Sequence, residues 1–314
     1  GGTSALLAAP ADGITAADKI AVNRHLLRCG APIEVMNAVR KHLSAVKGGR
    51  LAWRAAPREV IALVLSDVPG NDLATIGSGP TVPDPTDAAT ALRLLRRTPG
   101  AAEAIPARVW RLLETAARDR SHDTPKPGDR RLRRSRAWVI GDNRTALDAA
   151  AEAAARLGYR VAARRRRLRG EAADCARDLV ATLPRAPRRP TCVLAGGETF
   201  VTAGRSPGRG GRCQEMALAA AAGLVGTGWT ILFAGTDGID GATDAAGGFC
   251  DGTTLRRAGR RRLDVALARH DSHPLLVALD DAFRPGPTGT NVMDLAIALH
   301  PGARTAAVRT RDRG

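Results

Sequence analysis

Aromatic residues make up only 3% of this 314-residue chain, with a single tyrosine. Base-stacking platforms are therefore too few for convincing recognition of single-stranded nucleic acid. Lysine is scarce too: of 48 basic residues only Lys19, Lys41, Lys47 and Lys126 are lysines, and the rest are arginines. The net charge of +17 creates a field that draws nucleic acid, anionic membranes or acidic small molecules. Its densest runs, 130–136 and 164–169, have no interleaved aromatics. They read as a solvated basic surface from which phosphate-bearing substrates benefit, with nucleic-acid binding a weaker second reading. No apolar run approaches the roughly 18 residues of a membrane span. Five cysteines without a C-x-x-C offer no zinc or redox motif and fit a reducing cytoplasm. Also missing are the G-x-x-x-x-G-K-[ST] loop, the H-R-D and D-F-G pair, the G-x-S-x-G elbow, and a G-x-G-x-x-G after a strand. These absences exclude P-loop enzymes, protein kinases and the commonest hydrolases, and argue against a nicotinamide site.

What is present alternates short apolar runs with helical ones, the pattern of α/β architecture. A length of 314 residues favours two domains, and the Pro- and Arg-rich stretch 184–190 is the best boundary. The expected domains are 1–187 and 188–314. Strands are expected at 60–65, 137–140, 191–195 and 229–233. Each runs into a loop combining Gly with Asp or Glu: 66–70, 141–143, 196–198 and 235–238. Parallel sheets bind ligands beyond the carboxyl ends of their strands, so four such loops in that position mark a candidate site. Helices are expected over 15–29, ending at Gly30, over 33–46, and over 145–157, ending at Gly158. The polar segment 118–136 reads as a surface loop.

Four stretches carry candidate chemistry. In 204–214, Gly208, Gly210 and Gly211 precede a helix whose positive end favours anions, and Arg212 can neutralise charge on a transferring phosphoryl group. A flexible Gly/Arg turn is the alternative. In 235–251, Asp237, Asp240 and Asp244 can gather around a hard cation, although Asp and Gly also dominate ordinary turns. The proline-stiffened loop 66–85 offers Ser66, Asp67, Asp72 and Ser78, with Asp72 as a simple turn cap the alternative. At 42–50, a helix ends on Lys47, two glycines and Arg50. A helix C-cap whose basic residues favour the negative end of the dipole is the alternative. Where arginine dominates so heavily, Lys41 and Lys47 in one segment suggest a need for a compact ammonium. His42 reads either as catalytic or as a packed histidine, and His270 and His273 as polar binding groups.

In this order, 1–7, 39–52, 65–84, 140–147, 196–218, 234–254 and 286–295 resemble the class II glycerate kinases, whose C-terminal part is the MOFRL domain. The resemblance implies two three-layer α/β/α domains, Rossmann-like at the N-terminus and mixed-sheet in the MOFRL part, with the active site in the cleft. It implies ATP and D-glycerate as substrates, Mg2+ as cofactor and 2-phosphoglycerate as product, with hydroxypyruvate reduction the alternative. The family's catalytic arginine falls on Arg212. The expected roles are phosphate binding by Gly196, Gly197, Glu198, Gly208, Gly210 and Gly211, and metal or acceptor-hydroxyl binding by Asp237, Asp240 and Asp244. Glycerate binding falls to catalytic Lys47 with Ser66, Asp67, Asp72 and Ser78. The chain departs from the family pattern at Thr3, Asn71 and Cys213. It is also expected to begin partway into the fold, lacking an upstream lysine segment and therefore activity.

Overall fold

The computed structural model describes residues 2–202, 204 and 208–303, without the side chains of 164–167. Gly1 of the first motif, 205–207 of the Gly/Arg stretch, and four side chains of the basic run 164–169 thus lie outside the described residues. The described residues pack into two compact units, those within 1–64 and 70–140 and those within 65–69 and 141–314.

The first unit contains α1 (Thr3–Leu6), α2 (Ala16–Arg28), α3 (Ile33–His42), α4 (Arg50–Ala55), β1 (Val60–Leu65), α5 (Ala88–Arg96), α6 (Ala101–Ala104), α7 (Ala107–Arg118) and β2 (Ser135–Gly141). A capping box between Thr15 and Asp18 starts α2, and Gly30, at φ +63°, follows its end. In α7, Val109, Leu113 and Ala116 recur at helical spacing and are buried, as are Ala88, Ala91, Leu92 and Leu95 of α5. Ala91, Leu92, Leu95, Val109 and Leu113 close with Val22, Leu26 and Val39 into one helical core. β1 pairs with β2. Val60 N–H donates to Arg134 O and Ser66 N–H to Gly141 O, an advance in step that marks parallel strands. Ile61, Leu63, Leu65, Trp138 and Ile140 on these strands are exposed.

The end of α3 sits on a buried polar network. Lys41 pairs with Asp84 at 3.2 Å, and His42 Nε2 lies 2.9 Å from Asp123 Oδ1. Arg50 donates to the carbonyls of His42, Ser44 and His122. The expected surface loop 118–136 is thus partly internal: Asp123 and Thr124 are buried because Asp123 bonds to His42 and Thr124 Oγ1 donates to Asp84.

The second unit adds α8 (Asn143–Arg156), β3 (Arg160–Glu171), α9 (Ala172–Ala181), β4 (Thr191–Phe200), α10 (Arg212–Ala220), β5 (Thr230–Gly235), β6 (Gly247–Asp251), α11 (Thr254–Ala258), α12 (Arg260–Ala268), α13 (Ser272–Ala278), β7 (Ala282–Phe283) and β8 (Asp294–His300). Its mixed sheet has the order β3-β4-β8-β5-β6-β7, with β3 and β4 parallel and the other pairs antiparallel. Residues of β4 alternate between two cores. Val193 and Ala195 face α9 and α10, whereas Cys192 and Leu194 face Leu147 and Ala151 of α8. With both faces covered, the strand is an unbroken apolar run.

Residues 141–187 pack with this second unit because β3 pairs with β4 over most of its length. The stretch 184–190 is also tied in: Trp229 Nε1 donates to Pro184 O, and Arg160 N–H to Pro190 O. A family-domain boundary at 187/188 stands as a proposal beside this packing division.

Gly196 and Gly197 do not form a loop. They continue β4, paired with Leu295 and Asp294 of β8. A Cβ on Gly197, at φ +147°, would stand 2.2 Å from Leu168 O, and one on Gly196 2.1 Å from Asn143 Oδ1. Close backbone approach, not a turn, requires glycine there.

Candidate active site

Because β4 and β5 each run antiparallel to β8, their carboxyl ends point the same way. The first residue of β8, Asp294, sits between Gly197 of β4 and Gly235 of β5. Arg212, the first residue of α10, reaches this point. Its Nε donates to Asp294 Oδ2 at 2.6 Å, its Nη2 to Asp294 Oδ1 at 3.0 Å, and its Nη1 to Glu198 Oε1 at 3.2 Å. Asp294 is 1% exposed, whereas the Arg212 side chain is 32% exposed. Burial pushes Asp294 up to about 6 despite the opposing guanidinium. Arg212 stays cationic because its bonds to Asp294 outweigh its own desolvation. A guanidinium pinned through one edge, with the other toward a half-exposed carboxylate, is preorganised to meet an incoming anion.

The expected glycine cradle is not open. A Cβ on Gly208 would strike Asp271, one on Gly210 would strike Ser272, and one on Gly211 would strike Asp240. These glycines admit neighbouring chain. The helix end is also taken: Asp240 accepts the amides of Cys213 at 3.2 Å and Gln214 at 2.8 Å, and the Gln214 side chain at 3.1 Å. The carboxylate thus satisfies amides that would otherwise attract an anion.

Nor do the three loop aspartates gather around a cation. Asp240 is buried as that cap, Asp237 accepts from Ile239 N–H, and Asp244 pairs with His273 and Arg284. Among the described residues no three acidic, His or Cys side chains are placed to hold a metal. Magnesium nevertheless commonly binds through one or two carboxylates plus substrate phosphates. Asp237, half-buried with an oxygen close to Gly235, fits that pattern as a single carboxylate; Asp294 does not, because both its oxygens are bonded to Arg212 and it is shut off from solvent.

In the first unit, Lys47 lies in the turn after α3. Its Nζ donates to Ser4 O and, at 2.6 Å, to Ser4 Oγ, which lies 2.8 Å from Ser78 Oγ. Ser78 holds φ +66°, a left-handed conformation uncommon outside glycine. Gly48 N–H donates to Ser78 O and Gly49 N–H to Gly79 O, so the two turns are zipped together. Burial, then the charges of Lys19 and Arg40, pull Lys47 down to about 8.

The other expected residues make local contacts. Asp72 accepts from Thr75 Oγ1 and Ala74 N–H as a turn cap. Ser66 bonds within its own turn to Val68, and Asp67 faces Asn291 at 3.4 Å. His42 is packed, and His270 and His273 hydrogen-bond to Glu215 and Gln214. Cys213 is buried, and desolvation together with Asp294 and Asp240 drives its thiol far above the ordinary range. Sequence reasoning missed Asp294 and Ser4. An acid opening the apolar run 294–299 was the available signal for the first; nothing local distinguished the second.

Comparison with known proteins agrees with this architecture. A domain of unknown function, DUF4147, matches residues 1–114, and the MOFRL family matches 191–294. The chain is 37% identical to a glycerate 2-kinase of Pyrococcus horikoshii, covering 95% of this chain and 69% of that protein. It is 41% identical to a putative hydroxypyruvate reductase of Agrobacterium vitis, covering 95% and 77%. A crystal structure of glycerate kinase from Thermotoga maritima superposes with a TM-score of 0.82 at 36% identity, over 96% of this chain and 71% of that one. Similarity of this extent, over both units and in sequence and fold alike, shows that the chain belongs to the glycerate kinase family of enzymes.

Proposed function

We propose that this protein transfers the γ-phosphoryl group of ATP to the 2-hydroxyl of D-glycerate, giving 2-phosphoglycerate and ADP, with Mg2+ as cofactor. The observation that carries the reading is Arg212, held by buried Asp294 and left partly open. The reaction forms a bond from the glycerate oxygen to phosphorus, breaks the β–γ bridge and releases the hydroxyl proton. Such transfer depends on positioning and charge neutralisation. Arg212 neutralises the transferring group, and Glu198 and Asp294 aim its guanidinium. Mg2+, when bound, would be held by Asp237 and would supply charge compensation on the nucleotide phosphates. Lys47 and Ser78 serve the acceptor. Five cysteines, none of them in a disulfide, fit a reducing, cytoplasmic setting.

Phosphorus NMR of a reaction with ATP, magnesium and D-glycerate tests the reading. The expected outcome is ADP together with 2-phosphoglycerate, and neither when glycerate or magnesium is omitted. The name of the Agrobacterium relative motivates one competing arm. NADH consumption with hydroxypyruvate, without ADP release, would replace the kinase by a reductase.

A further inference from the structure

Three turns of the first unit meet at Lys47: residues 2–4, 47–49 and 77–79. They approach so closely that a Cβ on Gly77 would stand 3.0 Å from the Thr3 side chain. The lysine is 5% exposed and Ser78 2%. Other buried basic side chains nearby have acidic partners or several carbonyls: Lys41 has Asp84, His42 has Asp123, and Arg50 has a ring of backbone oxygens. Among the described residues Lys47 has no carboxylate partner; its ammonium bonds only to the Ser4 carbonyl and hydroxyl. The charged groups acting on it are Lys19 of α2 and Arg40 of α3, both positive. Lys19 donates to the Ala8 and Ala9 carbonyls and Arg40 to Asn23, so neither is neutralised by an acid.

A buried ammonium beside two further cations is costly without a counter-ion. We propose that Ser4, Lys47 and Ser78 form a binding site for a small oxyanion, occupied in turnover by the carboxylate of the hydroxy acid. The cluster has the right chemistry: one ammonium and two hydroxyls that rotate to donate. Ser4, only half-buried, is the side open to entry. Ser78, in a left-handed conformation, holds its hydroxyl 2.8 Å from that of Ser4. The choice of carboxylate over phosphate rests on the glycerate kinase reading; the oxyanion site itself does not.

An arriving anion offsets both the burial and the cationic neighbours, so Lys47, at about 8 when free, is pulled to full protonation. Binding at pH 8 therefore takes up about half a proton. The experiment is titration calorimetry of the full chain, without nucleotide, in two buffers of different ionisation enthalpy. D-glycerate and inorganic phosphate are used as separate probes. Glycerate binding with proton uptake is expected, weakened about tenfold or more by Ser4→Ala and by Lys47→Met, with uptake abolished in the latter. Thermal melts confirm that both variants are folded. Phosphate uptake with no response to glycerate would keep the oxyanion site and reassign its occupant. Absence of proton-linked binding by either probe, or equal affinity in the two variants, overturns the site. Glycerate-dependent ADP release at unchanged KM in both variants also overturns it while leaving the kinase reading intact. Lys47-dependent uptake in a chain that releases no ADP does the reverse.

Discussion

Arg212 spends two of its three nitrogens on one carboxylate, Asp294, which is almost wholly shut off from water. Such a pair fixes the plane of the guanidinium as well as its position. A lysine at that place could match the charge but not the fork. Arg212→Ala is expected to lower turnover about a hundredfold or more, the cost of removing one preorganised charge partner. Arg212→Lys should recover little of it. Steady-state ADP release decides this, and unchanged turnover in Arg212→Ala would remove the residue from the chemistry.

Asp294 must be ionised to hold Arg212, and its value is raised to about 6. Activity should therefore climb as pH rises through about 6, and this acid limb should vanish in Asp294→Asn, whose turnover is lower throughout. The stability linkage has the opposite sign. Folded protein binds this proton more tightly than the unfolded chain, so the contribution is full below the ordinary aspartate value and lost as pH rises through about 6. A kcat profile that keeps its acid limb in the variant would assign the limb to another group.

Asp240 caps α10, so its loss should appear as instability. Asp240→Ala is expected to cost about 2 kcal/mol, toward the upper end for helix caps, seen as a fall of several degrees in Tm. Asp240→Asn, which retains an acceptor, should be milder. Added magnesium should restore neither, whereas metal-dependent recovery would return Asp240 to a ligand role.

Gly197 supplies a parallel test within the sheet. Its φ of +147° and the Leu168 carbonyl leave no space for a methyl group. Gly197→Ala should destabilise by about 1–3 kcal/mol, the usual cost of forced overpacking. Denaturant melts measure that loss directly. A variant as stable as the parent but with a raised KM for ATP would restore Gly197 to the nucleotide site.

The sequence by itself determined the element types, because apolar periodicity and end signals act locally. Helices appear where apolar residues recur at helical spacing, with Gly30 and Gly158 at their ends, and β1, β2, β4 and β5 overlie the expected runs. Arg212 at the mouth of a helix was legible for the same reason, since helix starts are written in consecutive residues. Tertiary structure alone decided what the glycines and aspartates were for. A glycine admitting a phosphate and one admitting a neighbouring carbonyl look the same in sequence, and at 196, 197 and 208–211 the neighbour is protein. An aspartate in a glycine-rich loop serves equally as metal ligand or cap, and the burial of Asp240 against α10 made it a cap. The pairing of Arg212 with Asp294 joins residues 82 positions apart, and that of Lys47 with Ser4 joins residues 43 apart. No local rule reaches across such separations; only the registers of β4, β8 and β5, and the zipping of the 47–49 and 77–79 turns, bring these groups into contact.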